Sequence, residues 1–220
     1  MRLHALTGDD AHLDFAKYLL SERGRKRPEY NNETFFEFEA RQRDDLLVPH
    51  TLDSIHDISY HQAHLPLHDQ NDILGHSVRA FYLLTACADL GGEFAEDAKR
   101  LYLDTVRHKM YATGGLGTWP RIEGFHPARY HLPQSTGEGG CYAETCASIA
   151  LMMTCERLLS HQLDGGVRDT LELALLNNAL GGGSLDGQQF SYANKHATWG
   201  DETAIRKDWF EGELTRHNHG

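Results

Sequence analysis

Apolar positions recur with helical spacing in five stretches of this chain. They cover residues 10–23, 69–90, 95–110, 141–160 and 166–180. In each stretch apolar side chains return every three or four residues, the period of an amphipathic helix. Glycines follow three of them: Gly24, Gly91 and Gly181. Because glycine commonly ends helices, these bounds predict an all-α fold, with residues 33–60 irregular apart from a short helical piece.

The helices form two pairs of similar size. Stretches 69–90 and 95–110 are joined by a short turn, and so are 141–160 and 166–180. Such pairs predict helical hairpins, and the pairing suggests an α/α toroid whose inner helices are the more apolar ones. Near the C-terminus, Asp186-Gly187 between short β-prone runs predicts a β-hairpin.

The helix predicted over 141–160 is the most apolar of the five, yet acids and thiols stand at its start: Glu138, Cys141, Glu144 and Cys146. Residues two apart on a regular helix point to nearly opposite sides. Glu144 and Cys146 could therefore bind one metal only where the first turn departs from helical angles. Carboxylate and thiolate together suit zinc. The alternative is a buried small cysteine beside a capping glutamate.

A long loop separates the two helix pairs and is too rich in aromatics to be a simple linker. Loops of this length inside compact domains are usually functional. Its segment Arg121-Ile122-Glu123-Gly124-Phe125 places one acid among apolar groups, an environment that favours a general acid. Glu123 could equally be a solvated loop acid, and Glu138, among glycines, is a weaker candidate for the same role.

Histidine is abundant, with fifteen in the chain, and several precede or begin the helix at 69–90. His64 and His76 are candidates for hydrogen bonding to a polyhydroxyl ligand. Each could also be an ordinary satisfied side chain, which is the preferred interpretation of His68. Tyr192, on the predicted hairpin, could be a site residue or part of the core. Cys87 and Cys155 are predicted to be core residues.

Charge and composition exclude several classes of partner. The 220 residues include 21 basic and 32 acidic side chains, a net charge of −11, which argues against nucleic acid and anionic membrane surfaces. No apolar run approaches the ~20 residues of a membrane span. The first residues lack the apolar core of a secretory signal, which favours a cytoplasmic location. Four cysteines at these spacings indicate reduced thiols or a metal site rather than a disulfide scaffold.

Seven motifs together resemble glycoside hydrolase family 127, formerly the domain of unknown function 1680, whose type member is a β-L-arabinofuranosidase. The motifs are GHSVRAFYL, YATGGLG, IEGF, HLP, CYAETCASIALMM, ALLNNALGG and SLDGQQFSYAN, and the resemblance covers roughly residues 1–210. It implies an (α/α)6 catalytic barrel acting on terminal L-arabinofuranosyl or related sugars. It also implies a retaining mechanism with a zinc-bound cysteine nucleophile.

The family motifs assign roles to individual residues. The E-x-C motif implies that Glu144 and Cys146 are zinc ligands, and IEGF, in place of the family's GEAF, implies that Glu123 is the acid/base. The histidine of the GHAVR motif binds sugar in the family and matches His76. The tyrosine of the F-x-Y-x-N motif matches Tyr192.

The family's later Cys-Cys segment, which supplies two further zinc ligands, one of them the nucleophile, has no counterpart here, since no cysteine follows Cys155. We therefore expect residues 1–220 to be a partial catalytic domain, lacking also the first barrel helices, which binds zinc weakly and is inactive. A non-catalytic sugar-binding remnant is the first alternative. A sugar epimerase-type toroid that uses histidines and no thiol is the second. The oligomeric state stays open.

Overall fold

The computed structural model describes residues 1–44, 57–134 and 141–196, and these are mainly helical. The helices are α1 Arg2–Thr7, α2 Asp10–Glu22, α3 Phe35–Gln42, α4 Ser77–Leu90, α5 Gly92–His108, α6 Thr145–His161 and α7 Gly165–Ala174. The strands have two residues each: β1 Lys26–Arg27, β2 Glu33–Thr34, β3 Gly75–His76 and β4 Gly124–Phe125. Strands β1 and β2 pair antiparallel, as do β3 and β4. The prediction of a mainly helical protein is confirmed.

Two helical hairpins form the core, as the pattern predicts. Helix α4 packs against α5 within the first hairpin and against α6 of the second, and α6 packs against α7. Their facing positions carry the fully buried side chains Phe81, Leu84 and Leu151, with Cys87 and Cys155 among them. Both thiols thus lie in the core, as predicted. This arrangement fits part of a helical toroid with α4 and α6 as neighbouring inner helices.

Helix α4 begins later than its apolar pattern suggests. Residues 69–76 were predicted to be helical, but the chain there forms a short 3₁₀ turn, Leu67–Asp69, and then strand β3. Gly75 has a left-handed φ of +75°, and His76 is the N-cap residue of α4. Ile73 is buried and Leu74 is half-buried in the non-helical segment before Gly75, and apolar periodicity alone does not distinguish such a segment from a helix.

The last predicted helix also changes form along its length. Helix α7 ends at Ala174 and continues as a π-helical turn, Leu175–Leu180. This turn carries the fully buried Asn178, whose Nδ2 donates a 2.7 Å hydrogen bond to the carbonyl of Thr113. Gly114 packs so closely on Ala174 that an added Cβ would lie 2.9 Å from its nitrogen. The π turn therefore holds the loop that follows α5.

The predicted C-terminal hairpin is present in outline. Gly183 pairs with Phe190 in an isolated antiparallel bridge, and Ser184 N–H donates to the Gln189 carbonyl at 2.9 Å. Asp186-Gly187 occupies the turn between them, as the sequence predicts. In the described part of the chain no helix is long and apolar enough to cross a membrane.

We expect Leu151→Ala to lower the free energy of unfolding by about 2–5 kcal/mol, because it opens a cavity between α4 and α6. Met153→Ala on the same helix is the matched control, since Met153 is 40% exposed and Leu151 0%. The Met153→Ala variant should lower the free energy of unfolding by less than about 1 kcal/mol. Urea unfolding of both variants measures the difference, and equal costs would contradict the packing described here.

Candidate functional site

Glu123 stands at the end of a tight turn that is fixed to strand β3. The 3₁₀ turn Pro120–Ile122 ends at Glu123, whose φ of 49° is left-handed and unusual for a residue with a side chain. Its carbonyl accepts hydrogen bonds from the backbone N–H and the hydroxyl of Ser77, at 3.0 and 2.8 Å. This double anchor holds the Glu123 backbone against the first turn of α4.

His76 contacts the Glu123 carboxylate from the neighbouring strand. As the N-cap residue of α4, its Nδ1 accepts a 3.5 Å hydrogen bond from the backbone N–H of Arg79. Its Nε2 lies 3.1 Å from Glu123 Oε2. Because Nδ1 accepts, the neutral ring carries its proton on Nε2 and donates it to the carboxylate. The capping role therefore sets both the position and the tautomer of His76.

Tyr192 approaches the same carboxylate from the segment after the hairpin. Its hydroxyl donates a 2.7 Å hydrogen bond to Glu123 Oε1. Burial, together with the hydrogen bond to Glu123, raises the pKa of the Tyr192 phenol above its ordinary value, so the group remains a donor at neutral pH. Glu123 is thus held by donors from two separate parts of the chain.

Glu144 occupies the N-cap position of α6 without capping the helix. Its backbone is extended, with φ −60° and ψ 133°, and its side chain makes no capping hydrogen bond. The first helical N–H, that of Thr145, is instead satisfied by the Tyr192 carbonyl at 2.9 Å. The interpretation of Glu144 as a capping glutamate is therefore wrong, and its carboxylate is left for the site.

The Glu144 and Cys146 side chains interact, as a shared metal site requires. Glu144 is only 1% exposed, and burial raises the pKa of its carboxyl. Burial and the neighbouring Glu144 raise the pKa of the Cys146 thiol to about 12. A metal binds the deprotonated forms of both groups. The departure from helical geometry at Glu144 brings these two residues together despite their spacing.

The donor set fits a cation in part. Glu144 Oε2 is buried and has no hydrogen-bond partner in the described part of the chain, as a carboxylate oxygen reserved for a metal would. However, residues 1–44, 57–134 and 141–196 contain no group of three or more His, Cys, Asp or Glu side chains that could hold a metal ion. Glu144 and Cys146 fit zinc as two of its ligands.

The remaining predicted residues lie in different surroundings. His64 is half-buried after the 3₁₀ turn Ile58–His61, burial lowers its pKa, and the contacts among Glu123, His76 and Tyr192 do not include it. Glu138 lies outside the described residues. Glu123 has a polar rather than the expected apolar environment, since its side chain is 37% exposed and contacts polar groups. Its apolar neighbours Ile122 and Phe125 are turned into the interior.

Two tyrosines that the sequence did not single out also border this site. The Tyr142 ring centroid is 6.3 Å from that of Tyr192, and Tyr60 packs edge-on against His76 at 5.5 Å. The Arg79 guanidinium lies over the Tyr60 ring, 5.1 Å from its centroid. Tyr142 stands two residues before Glu144, and this proximity was the one signal that could have drawn attention to it.

A family model described as the catalytic domain of β-L-arabinofuranosidase, GH127, matches residues 1–213. The chain belongs to glycoside hydrolase family 127. The non-reducing end β-L-arabinofuranosidase of Bifidobacterium longum subsp. longum is 32% identical over 223 aligned residues, which cover 95% of this chain. The family resemblance noted in the sequence is thereby confirmed.

Solved structures of the family share this fold. A GH127 β-L-arabinofuranosidase from Geobacillus stearothermophilus T6 matches 91% of this chain with 34% identity and a TM-score of 0.78. A GH127 β-arabinofuranosidase matches 88% with 30% identity and a TM-score of 0.68. The matches cover 30% and 26% of those chains and 32% of the Bifidobacterium protein, so this GH127 chain spans about a third of its relatives' length.

We expect Gly75→Ala to disturb this GH127 site strongly, because Gly75 precedes His76 and has no room for a side chain. A Cβ there would lie 2.3 Å from the Ser59 carbonyl oxygen. Gly8→Ala is the control, since Gly8 also has a positive φ, +70°, but nothing within 4 Å. Both should lose about 1–2 kcal/mol of stability to backbone strain.

The clash at Gly75 should add about 1–3 kcal/mol to that loss. Thermal or urea unfolding of the two variants compares them directly. If both alanine variants lost the same stability, the close approach of β3 to Ser59 would not exist in solution.

Proposed function

We propose that this chain is part of the catalytic domain of a glycosidase that acts on terminal β-L-arabinofuranosyl groups. The convergence of His76 and Tyr192 on the Glu123 carboxylate, at 3.1 and 2.7 Å, is the observation that carries this proposal. Membership of family 127 supports the sugar class, as does the name of the Bifidobacterium relative. The substrate is accordingly a carbohydrate.

Glu123 acts as the acid/base in this proposal. Glycoside hydrolysis needs a carboxyl group that protonates the leaving oxygen and later takes a proton from water. The two donors fix the direction of the Glu123 carboxylate, and its partial exposure leaves it accessible to substrate. His76 and Tyr192 also present polar groups to the hydroxyls of the bound sugar, whereas the arrangement gives no comparable role to His64.

Glu144 and Cys146 would hold zinc, with other ligands from outside the described residues. Zinc, when bound, keeps coordinated thiols deprotonated at neutral pH. The unpartnered Oε2 of Glu144 supports this assignment. Two protein ligands alone would bind zinc weakly, because zinc sites in proteins use three or four.

We expect the 220-residue chain to bind methyl β-L-arabinofuranoside saturably, and His76→Ala to weaken that binding about tenfold through loss of a ligand hydrogen bond. His68→Ala is the matched control, because His68 is 49% exposed and pairs with Asp97 away from Glu123. Calorimetric titration or ligand-observed NMR measures both. Absence of binding to the unchanged chain, or equal losses in the two variants, would contradict the proposed function.

We further propose that this polypeptide alone does not hydrolyse the sugar, which makes a non-catalytic sugar-binding protein the second candidate. The observation that favours it is the placement of the thiols: Cys87 and Cys155 are in the core, Cys141 is buried, and Cys146 adjoins Glu144. None of the four matches the cysteine of the later Cys-Cys segment that the family resemblance implies as the nucleophile.

Incubation of the pure 220-residue chain with an aryl β-L-arabinofuranoside and zinc tests this point. We expect no release of arabinose above the rate of the Glu123→Gln variant. Release that a chelator abolishes, and that Glu123→Gln lacks, would show that the polypeptide is a complete catalyst.

A further inference from the structure

Trp119 lies beside the site on the same face of the small sheet as His76. His76 pairs with Gly124 in the antiparallel pair β3–β4, and Trp119 pairs with Gly124 from the other side. Directly opposed residues in antiparallel pairs place their side chains on the same face. His76 and Trp119 therefore flank the turn that carries Glu123.

The separation of the two residues at their Cα atoms suits a sugar chain. Trp119 and Gly124 exchange two backbone hydrogen bonds, each 3.1 Å long. Opposed Cα atoms in such pairs are about 4.5–5.5 Å apart, so His76 and Trp119 are about 10 Å apart at their Cα atoms. Gly124 itself contributes no side chain between them.

The indole of Trp119 is held in place by a stack of imidazoles. Its ring lies 5.0 Å from that of His126, and His126 stacks on His131 at 3.7 Å. Burial and the neighbouring His131 lower the pKa of His126, which keeps its ring neutral near pH 7. Trp119 and His126 are partly exposed, so the stack is accessible from solvent.

The loop that carries the stack is anchored at both ends. At one end, Thr118 N–H donates to the Gly124 carbonyl at 3.1 Å. At the other, the Arg129 guanidinium contacts Asp104 of α5 at 2.8 Å, and Tyr130 N–H donates to the His108 carbonyl at 2.8 Å. The aromatic surface is therefore organised before any ligand arrives, which lowers the entropic cost of binding.

We propose that Trp119, supported by His126, is the platform for the leaving-group sugar, the residue on the far side of the bond that is cleaved. This inference rests on the proposed function, because it places the leaving group where Glu123 would protonate it. His76 lies on one side of the Glu123 turn with the arabinofuranosyl group, and Trp119 lies on the other. A neutral sugar ring has an apolar C–H face that packs on an indole, which offers a large apolar area and a rigid geometry.

The test compares two ligands that share the arabinofuranosyl group but differ in the leaving group. They are methyl β-L-arabinofuranoside and a β-L-arabinofuranosyl disaccharide, each titrated into the 220-residue chain. We expect the disaccharide to bind about tenfold more tightly, consistent with one aromatic stacking contact. Trp119→Ala should remove this advantage and leave the affinity for the methyl glycoside unchanged, whereas Trp119→Phe should retain most of it.

Tyr130→Ala is the matched control, since Tyr130 is an aromatic residue of the same loop that is 69% exposed and lies outside the stack. His126→Ala is a second variant in case Trp119→Ala fails to fold, and it should weaken only disaccharide binding. Equal losses for both ligands in Trp119→Ala, or no loss for either, would overturn the inference. Failure of the unchanged chain to bind the methyl glycoside would instead count against the proposed function.

Discussion

The backbone of residues 143–145 joins three separate segments, and the geometry of the site depends on it. Ala143 N–H donates to Gly117, Glu144 N–H to Leu116 and Thr145 N–H to Tyr192, at 3.1, 3.1 and 2.9 Å. These bonds satisfy the two amides just before α6 and the first of the helix-start amides that have no partner within the helix. The Glu144 side chain makes no capping hydrogen bond, and the same junction brings Tyr192 within reach of Glu123.

This junction has an energetic cost that its neighbours offset. Ala143 has a left-handed φ of 41°, a conformation that costs about 1–3 kcal/mol for a residue with a side chain. Asn194 donates both its backbone N–H and its Nδ2 to the Ala143 carbonyl, at 3.1 and 3.0 Å. Glu123 is also left-handed and is anchored twice by Ser77. Strain thus occurs at the two positions that orient the candidate catalytic and metal-binding carboxylates.

The sequence predicted the helices well because their apolar faces repeat with the helical period. It placed the start of α4 too early, because the non-helical segment before Gly75 carries apolar residues such as the buried Ile73, as a helix would. The motif resemblance selected Glu123, Glu144 and Cys146. The meeting of Glu123 with His76 and Tyr192 could not be read from spacing, since it depends on β3–β4 pairing and on the junction at α6.

The surroundings of Glu144 connect the stability of this domain with its chemistry. A buried carboxyl oxygen without a partner costs about 1–3 kcal/mol, and the half-buried Cys146 thiol beside this carboxyl has its ionisation suppressed as well. A polypeptide that keeps the Glu144 carboxyl beside the Cys146 thiol therefore has an energetic cost at the start of α6 when no cation is bound. A cation at this position would offset that cost, because it would pair with the carboxylate and stabilise the thiolate. The two side chains that are proposed to bind zinc are therefore also the ones that lower the stability of the chain when no cation is bound.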